Sequence, residues 1–411
     1  MSKTPSVLAA QPARPARTDV IEARSRSAYT TVLNARQATA RRVARRDRLP
    51  RSSLEPQPVR KESYAFLQEI LETPSPSGFE QPVQRIVRRR MKPFADRIES
   101  DIHGNAVVAL NPEGAPRIML AGHCDHIGMM VTYVDDHGYI FFNAIGGIDP
   151  GVLPGSPVVL QTDHGPVQGV IGRKPVHLLK PEERGAKVEL RGLWIDIGAK
   201  DRKRAEQVVR VGDPITFRLE VIRLGQDLVT APAFDNKCGV FVVMEALRLC
   251  AGRKIKPALF AVSTVQEEIG LRGARTSCFG IDPLVGIAVD VTHASDYPDM
   301  DKRVSGDIKV GSGPTVARGG NVNPLLEALL VKTAKAKRIS IQLEAAPAAT
   351  PTDANVIQLS RSGVATALVG IPNRYMHTPA EVVALSDLEA AARLIAETVA
   401  AIDHGTEFIP Q

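Results

Sequence analysis

The chain has 411 residues, 44% hydrophobic and 24% charged, with a formal net charge of +7 at pH 7. That is globular composition with length for more than one core, which excludes a fibre or a wholly disordered chain. Residues 1–60 hold 13 Lys and Arg against 4 Asp and Glu, a net of +9 that leaves −2 for the rest, so nucleic-acid binding is expected only of that basic stretch.

Residues 1–60 combine Arg, Ala, Ser and Pro, and the run from Ala40 to Arg46 concentrates like charge too densely to bury. They read as a disordered, solvated extension; an Arg-rich, acid-poor start is also how an organelle address looks, whereas a secretory leader would need an apolar core. From Glu62 the pattern changes: Tyr64, Leu67, Ile70 and Leu71 share one helical face, Pro74 to Gly78 break it, and a second amphipathic helix runs through Val83, Ile86 and Val87. Short apolar runs with strand character follow at Ile118 to Ala121, Ala258 to Val262, Val285 to Val289 and Ala365 to Val369. Helical stretches at Cys238 to Leu249, Pro324 to Ala336, Ala354 to Arg361 and Leu388 to Ile402 separate the later ones. This alternation predicts an α/β fold with a mostly parallel sheet.

Residues 128–222 differ, being rich in Gly, Val and Pro, with turn signals at Asp136-His137-Gly138 and Asp163-His164-Gly165. They read as a small inserted β domain, barrel-like in kind, so the α/β domain comprises residues 61–127 and 223–411. No apolar run approaches the roughly 20 residues of a membrane helix. Four cysteines, Cys124, Cys238, Cys250 and Cys278, show neither a C-x-x-C pair nor disulfide density, which fits thiols in a reducing, cytoplasmic setting.

Five segments place acids or imidazoles just after predicted strands, where open α/β sheets keep their sites: His123-Cys124-Asp125, Asp235-Asn236, Glu267-Glu268, Asp290 and His377. Each alone has an ordinary structural reading, such as a helix cap for Asp235. Together they supply what two neighbouring divalent ions need: a bridging carboxylate, terminal ligands for each ion, and a free acid to take a proton from water. Imidazole with carboxylate suits zinc, cobalt or manganese. Adjacent Glu267 and Glu268 diverge at a strand end, so one can bind metal while the other faces water. Gly311-Ser312-Gly313-Pro314 and Gly319-Gly320 do not match a phosphate loop and read as turns. Cys124 and Cys238 read as buried filler rather than thiolate ligands.

The segments Gly122-His123-Cys124-Asp125-His126-Ile127-Gly128, Asp235-Asn236-Lys237-Cys238-Gly239, Gln266-Glu267-Glu268-Ile269-Gly270, Val289-Asp290-Val291-Thr292 and Arg374-Tyr375-Met376-His377-Thr378-Pro379 resemble, in order, the ligand motifs of the M42 family. These are dinuclear metalloaminopeptidases that include tetrahedral, self-compartmentalising enzymes. The resemblance extends to Gly172 to His177, Leu193 to Gly198 and Thr352-Asp353-Ala354, and covers roughly residues 62–405. It implies two divalent ions per subunit, zinc or cobalt with manganese as an alternative. Asp235 would bridge them, His123 and Asp290 would complete one site, and Glu268 and His377 the other. Glu267 would be the general base that activates a bridging water, and Asp125 would accept the free imidazole N–H of His123. The substrates would be peptides, cut at the N-terminal residue. The inserted domain would mediate dimerisation, with dimers assembling to a dodecamer. Two features depart from the pattern: His126 stands where the family usually has Glu, and the basic extension is additional. A related dinuclear carboxypeptidase or deacylase, with Arg374 as carboxylate binder, is the alternative enzyme; a scaffold acting through the basic tail is the non-enzymatic one.

Overall fold

The computed structural model describes residues 60–181 and 184–411, so the expectation for residues 1–59 lies outside it. Helices α1 (Lys61–Leu71) and α2 (Gln81–Met91) open the described chain. Apolar residues spaced by three and four put Phe66, Leu67, Ile70 and Leu71 of the first, and Val83, Ile86 and Val87 of the second, into one core. Strands β1 (Arg97–Ser100), β2 (Ala106–Leu110) and β3 (Arg117–His123) follow. The chain then builds a closed six-stranded barrel from β4 (Gly128–Val134), β5 (Ile140–Ile145), β6 (Pro157–Thr162), β7 (Gly165–Gly172), β8 (Trp194–Asp196) and β9 (Pro214–Phe217). Alternate residues point inward, so Met129, Val131, Ile140, Phe142 and Ile215 fill the barrel with a core of its own. The short helix α3 (Arg202–Ala205) adds Ala205 to that core.

After β10 (Ile222–Leu224) and β11 (Leu228–Ala231), strands and helices alternate. They are α4 (Phe234–Cys250), β12 (Ala258–Thr264), α5 (Arg272–Ile281), β13 (Val285–His293), α6 (Lys302–Ser305) and β14 (Thr315–Gly319). The chain ends with α7 (Pro324–Lys337), β15 (Gln342–Ala346), α8 (Asp353–Ile357), β16 (Ala365–Asn373), β17 (Glu381–Ala384) and α9 (Leu385–Ala401). The eight-stranded sheet has the order β1-β2-β12-β3-β13-β16-β14-β15. Its four central strands are parallel, while β2 runs against β12 and β14 against β16. Helices cover both faces of the centre, which is why β12 is buried at every position and reads as a continuous apolar run. Because the central strands are parallel, the chain ends that follow them emerge along one edge.

The expected α/β sheet is present. The helix expected over Ala354 to Arg361 stops at Ile357 with Gln358 as its cap, and the positive φ of Arg361 and of Gly363 farther on keeps it from resuming. Strands β14 and β15 carry polar residues at an edge and escaped the apolar-run criterion. No helix among the described residues is long and apolar enough to cross a membrane.

Candidate active site

Each expected residue reaches the same sheet edge by its own element. His123 ends β3, Asp290 lies near the end of β13, Glu267 and Glu268 follow β12, and His377 follows β16. Asp235 opens α4, where it and Asn236 have non-helical dihedrals that set its side chain apart from the helix face. His123, Asp125, Asp235, Glu267 and Asp290 are buried, and Glu268 and His377 half-buried.

The two carboxylate oxygens of Asp235 face different imidazoles: Oδ1 lies 3.3 Å from His123 Nε2 and Oδ2 lies 3.1 Å from His377 Nε2. His123 Nε2 is 3.7 Å from Asp290 Oδ1 and from Glu267 Oε2; His377 Nε2 is 3.6 Å from Glu268 Oε2. Two ligand sets result, His123 with Asp235 and Asp290, and Asp235 with Glu268 and His377. Each imidazole is anchored by its other nitrogen to a backbone carbonyl, His123 Nδ1 to Asp125 at 3.0 Å and His377 Nδ1 to Gly147 at 2.8 Å. A carbonyl only accepts, so Nδ1 carries a proton and Nε2 is the nitrogen that faces the acids and would ligate a cation bound between them.

The acids crowd one another. Burial pushes the Glu267 carboxyl up to about 10, against the pull of His123 and helped by Asp290, Asp353 and Glu268. Burial and the neighbouring Asp235 also raise Glu268 well above the usual carboxylate range, whereas bonds to both imidazoles hold Asp235 low against its burial. Glu268 Oε1 is buried without a hydrogen-bond partner. Carboxyls held out of their ionised form by burial and by one another, an orphaned carboxylate oxygen and two inward-facing imidazole nitrogens fit divalent cations, whose charge would favour the ionised acids.

A surrounding shell holds these side chains. The Asp125 carboxylate accepts the backbone N–H of Glu267 at 3.0 Å and of Glu268 at 3.2 Å, and the Ser77 hydroxyl at 2.7 Å. It lies 3.5 Å from His123 Nδ1, farther than its own backbone carbonyl, so it chiefly fixes the two glutamates. Buried Glu381 was not anticipated. It accepts the N–H of Asp235 at 2.8 Å and of His377 at 3.3 Å, and its place four residues after His377 was the available signal. Asp353 binds the Thr264 hydroxyl at 2.6 Å, and Glu80 binds the N–H of Gln266 at 3.2 Å. His126 accepts the Ser75 N–H on Nε2 and donates from Nδ1 to the Ile127 carbonyl, a neutral pin between two loops. The four cysteines are free and buried; burial raises the Cys124 and Cys238 thiols, which suits filler. Gly311 and Gly313 donate to Asp387 rather than forming a phosphate cradle. Arg374 is held by both oxygens of Asp296, at 2.8 and 2.6 Å, which removes it as a free carboxylate binder.

His123, Asp235, Glu267, Glu268, Asp290 and His377 line a cavity of about 630 Å³. The family model described as M42 glutamyl aminopeptidase matches residues 104–394. The chain belongs to the M42 family. It is an aminopeptidase, a hydrolase of a metallopeptidase family. A lysyl aminopeptidase of Pyrococcus furiosus is 36% identical over 334 residues, 80% of this chain and 95% of that one. A glutamyl aminopeptidase of Lactococcus lactis is 29% identical over 344 residues, 81% and 95% of the two chains. Among solved structures, a TET aminopeptidase from a marine-sediment Thaumarchaeota archaeon aligns with a TM-score of 0.81 at 35% identity, covering 84% of this chain and 98% of its own. The TET1 peptidase of Pyrococcus horikoshii, described as assembling into a tetrahedron or an octahedral shell, aligns at 0.74 and 29% identity, covering 83% and 100%.

Proposed function

We propose that this M42 aminopeptidase works with two divalent ions, one held by His123, Asp235 and Asp290 and the other by Asp235, Glu268 and His377. The observation that carries this reading is Asp235, whose two oxygens face the two imidazoles separately. Bound there, the ions would polarise the scissile carbonyl and lower the pKa of water. Glu267 takes the proton of the attacking water and returns it to the leaving amine, and Asp125 holds its backbone while this happens. The cationic α-amine of the substrate sits against the acid cluster, which restricts cleavage to the first residue. Zinc or cobalt suits the imidazole and carboxylate donors, and manganese is the third choice.

Residues 61–127 and 223–411 form the catalytic domain in this reading. Residues 128–222 form the domain through which subunits dimerise, and dimers build a dodecamer. The assemblies described for TET1 of Pyrococcus horikoshii support that arrangement. The cysteine pattern supports a cytoplasmic enzyme.

Metal titration tests the shared carboxylate. Asp235→Ala should weaken both ions together, whereas His377→Ala should weaken mainly one. Loss of a single site in Asp235→Ala would remove the bridging role.

A further inference from the structure

Beyond the acid and imidazole cluster, the cavity wall continues along the sheet through Thr292, Leu368 and Gly370 to Glu344. Thr292 stands two residues past Asp290 on β13, so both side chains share a face about 6.6 Å apart. The Thr292 hydroxyl donates to Glu344 Oε1 at 2.6 Å and the Thr315 hydroxyl donates to Oε2 at 2.7 Å. These two donors fix the carboxylate in one orientation and leave acceptor capacity on both oxygens. Among the described residues no basic side chain forms an ion pair with it; Arg318 on the neighbouring strand β14 pairs with Glu327 instead. Gly370 makes the arrangement possible, because a Cβ there would lie 2.2 Å from Thr315 Oγ1 and 3.1 Å from Thr292 Cβ.

We infer that this recess takes the side chain of the substrate's N-terminal residue and that Glu344 selects a basic one, lysine or arginine. The inference rests on the proposed placement of the α-amine at the acid cluster. From there the four-carbon stem of lysine spans about the distance of two strand residues. Leu368 and Met376 cover the stem, while the cationic end meets Glu344. An acidic side chain would meet a fixed like charge there, so discrimination has a repulsive arm as well as an attractive one.

The test is kcat/KM of the metal-loaded, full-length enzyme on Lys, Arg, Leu and Glu aminoacyl chromogenic substrates. Wild type should favour Lys and Arg, and Glu344→Gln should lower the Lys to Leu ratio by about 10- to 100-fold, the range for a charge-assisted hydrogen bond. Glu344→Lys should raise the Glu to Lys ratio instead. A wild type that cleaves Glu or Leu at least as well as Lys overturns the inference without any variant, as does an unchanged ratio in both variants. N-acetylated lysyl substrate separates the two readings. If it is cut as fast as the free amine, the α-amine placement fails and the inference with it; a strict need for the free amine without basic preference removes Glu344 alone.

Discussion

Glu267 and Glu268 are neighbours with different surroundings, and the difference sorts their roles. Glu268 approaches His377 at 3.6 Å and has an oxygen with no partner, as a ligand position requires. Glu267 stands in both arms of its assignment as base: it faces the cavity, and its backbone is pinned by Asp125. Glu267→Gln should therefore keep both metals and lose at least about two orders of magnitude in kcat, since an amide cannot accept the proton. Metal content and rate measured on one preparation check this, and activity within tenfold of wild type would remove the assignment. His126 makes a separate statement about pH. Burial, with Lys237 nearby, pushes its imidazole down to about 3 from its ordinary value of 6.5. Between those values the unfolded chain binds a proton that the folded one refuses, so stability is complete above 6.5 and falls as pH drops toward 3. The slope reaches about 1.4 kcal/mol per pH unit. Metal-free His126→Gln should lose less melting temperature than metal-free wild type between pH 7 and pH 4.5. Parallel curves would show that His126 does not carry the acid sensitivity.

At the scale of elements, the site depends on how closely β3 and α4 approach, because His123 ends one and Asp235 opens the other. Two glycines set that approach: a Cβ on Gly122 would lie 2.5 Å from the Gly239 carbonyl carbon and 2.7 Å from the Val240 nitrogen. These are backbone atoms in a packed interior and cannot swing aside. Gly122→Ala should push strand and helix apart, cost about 1–3 kcal/mol of stability, and weaken metal binding in excess of that loss. Thermal unfolding with and without metal separates the two effects; unchanged metal affinity would show that the approach does not set the ligand spacing. This close contact also marks the limit of what the sequence displayed. The apolar runs of β3, β12, β13 and β16 and the acids just after them were legible because burial on both faces leaves a continuous hydrophobic record. Glu381 and Glu344 were not, since one acts through backbone amides and the other sits on the polar edge strand β15, and neither leaves a periodic signal. The reach of Gly147 to His377 joins positions 230 residues apart through a barrel loop, which only the folded chain reveals.

At the scale of the whole molecule, charge and chemistry occupy different stretches of the chain. Residues 1–60 carry a net +9, every proposed ligand lies at or after His123, and the described residues from Arg60 onward form a compact unit by themselves. The barrel, by contrast, reaches the proposed site, since the Gly147 carbonyl in the loop after β5 accepts from His377 Nδ1. Removal of residues 1–59 should then leave kcat and KM for short neutral peptides unchanged and leave an assembly larger than a dimer by light scattering. Any salt-sensitive binding to nucleic acid or anionic lipid should disappear with the same deletion, because such binding arises from Lys and Arg displacing counterions. A truncated chain that stays folded and metal-loaded but loses activity would place the basic stretch within the active enzyme. A monomeric mass with full activity would instead separate catalysis from assembly, and the dimerising role proposed for residues 128–222 would fall.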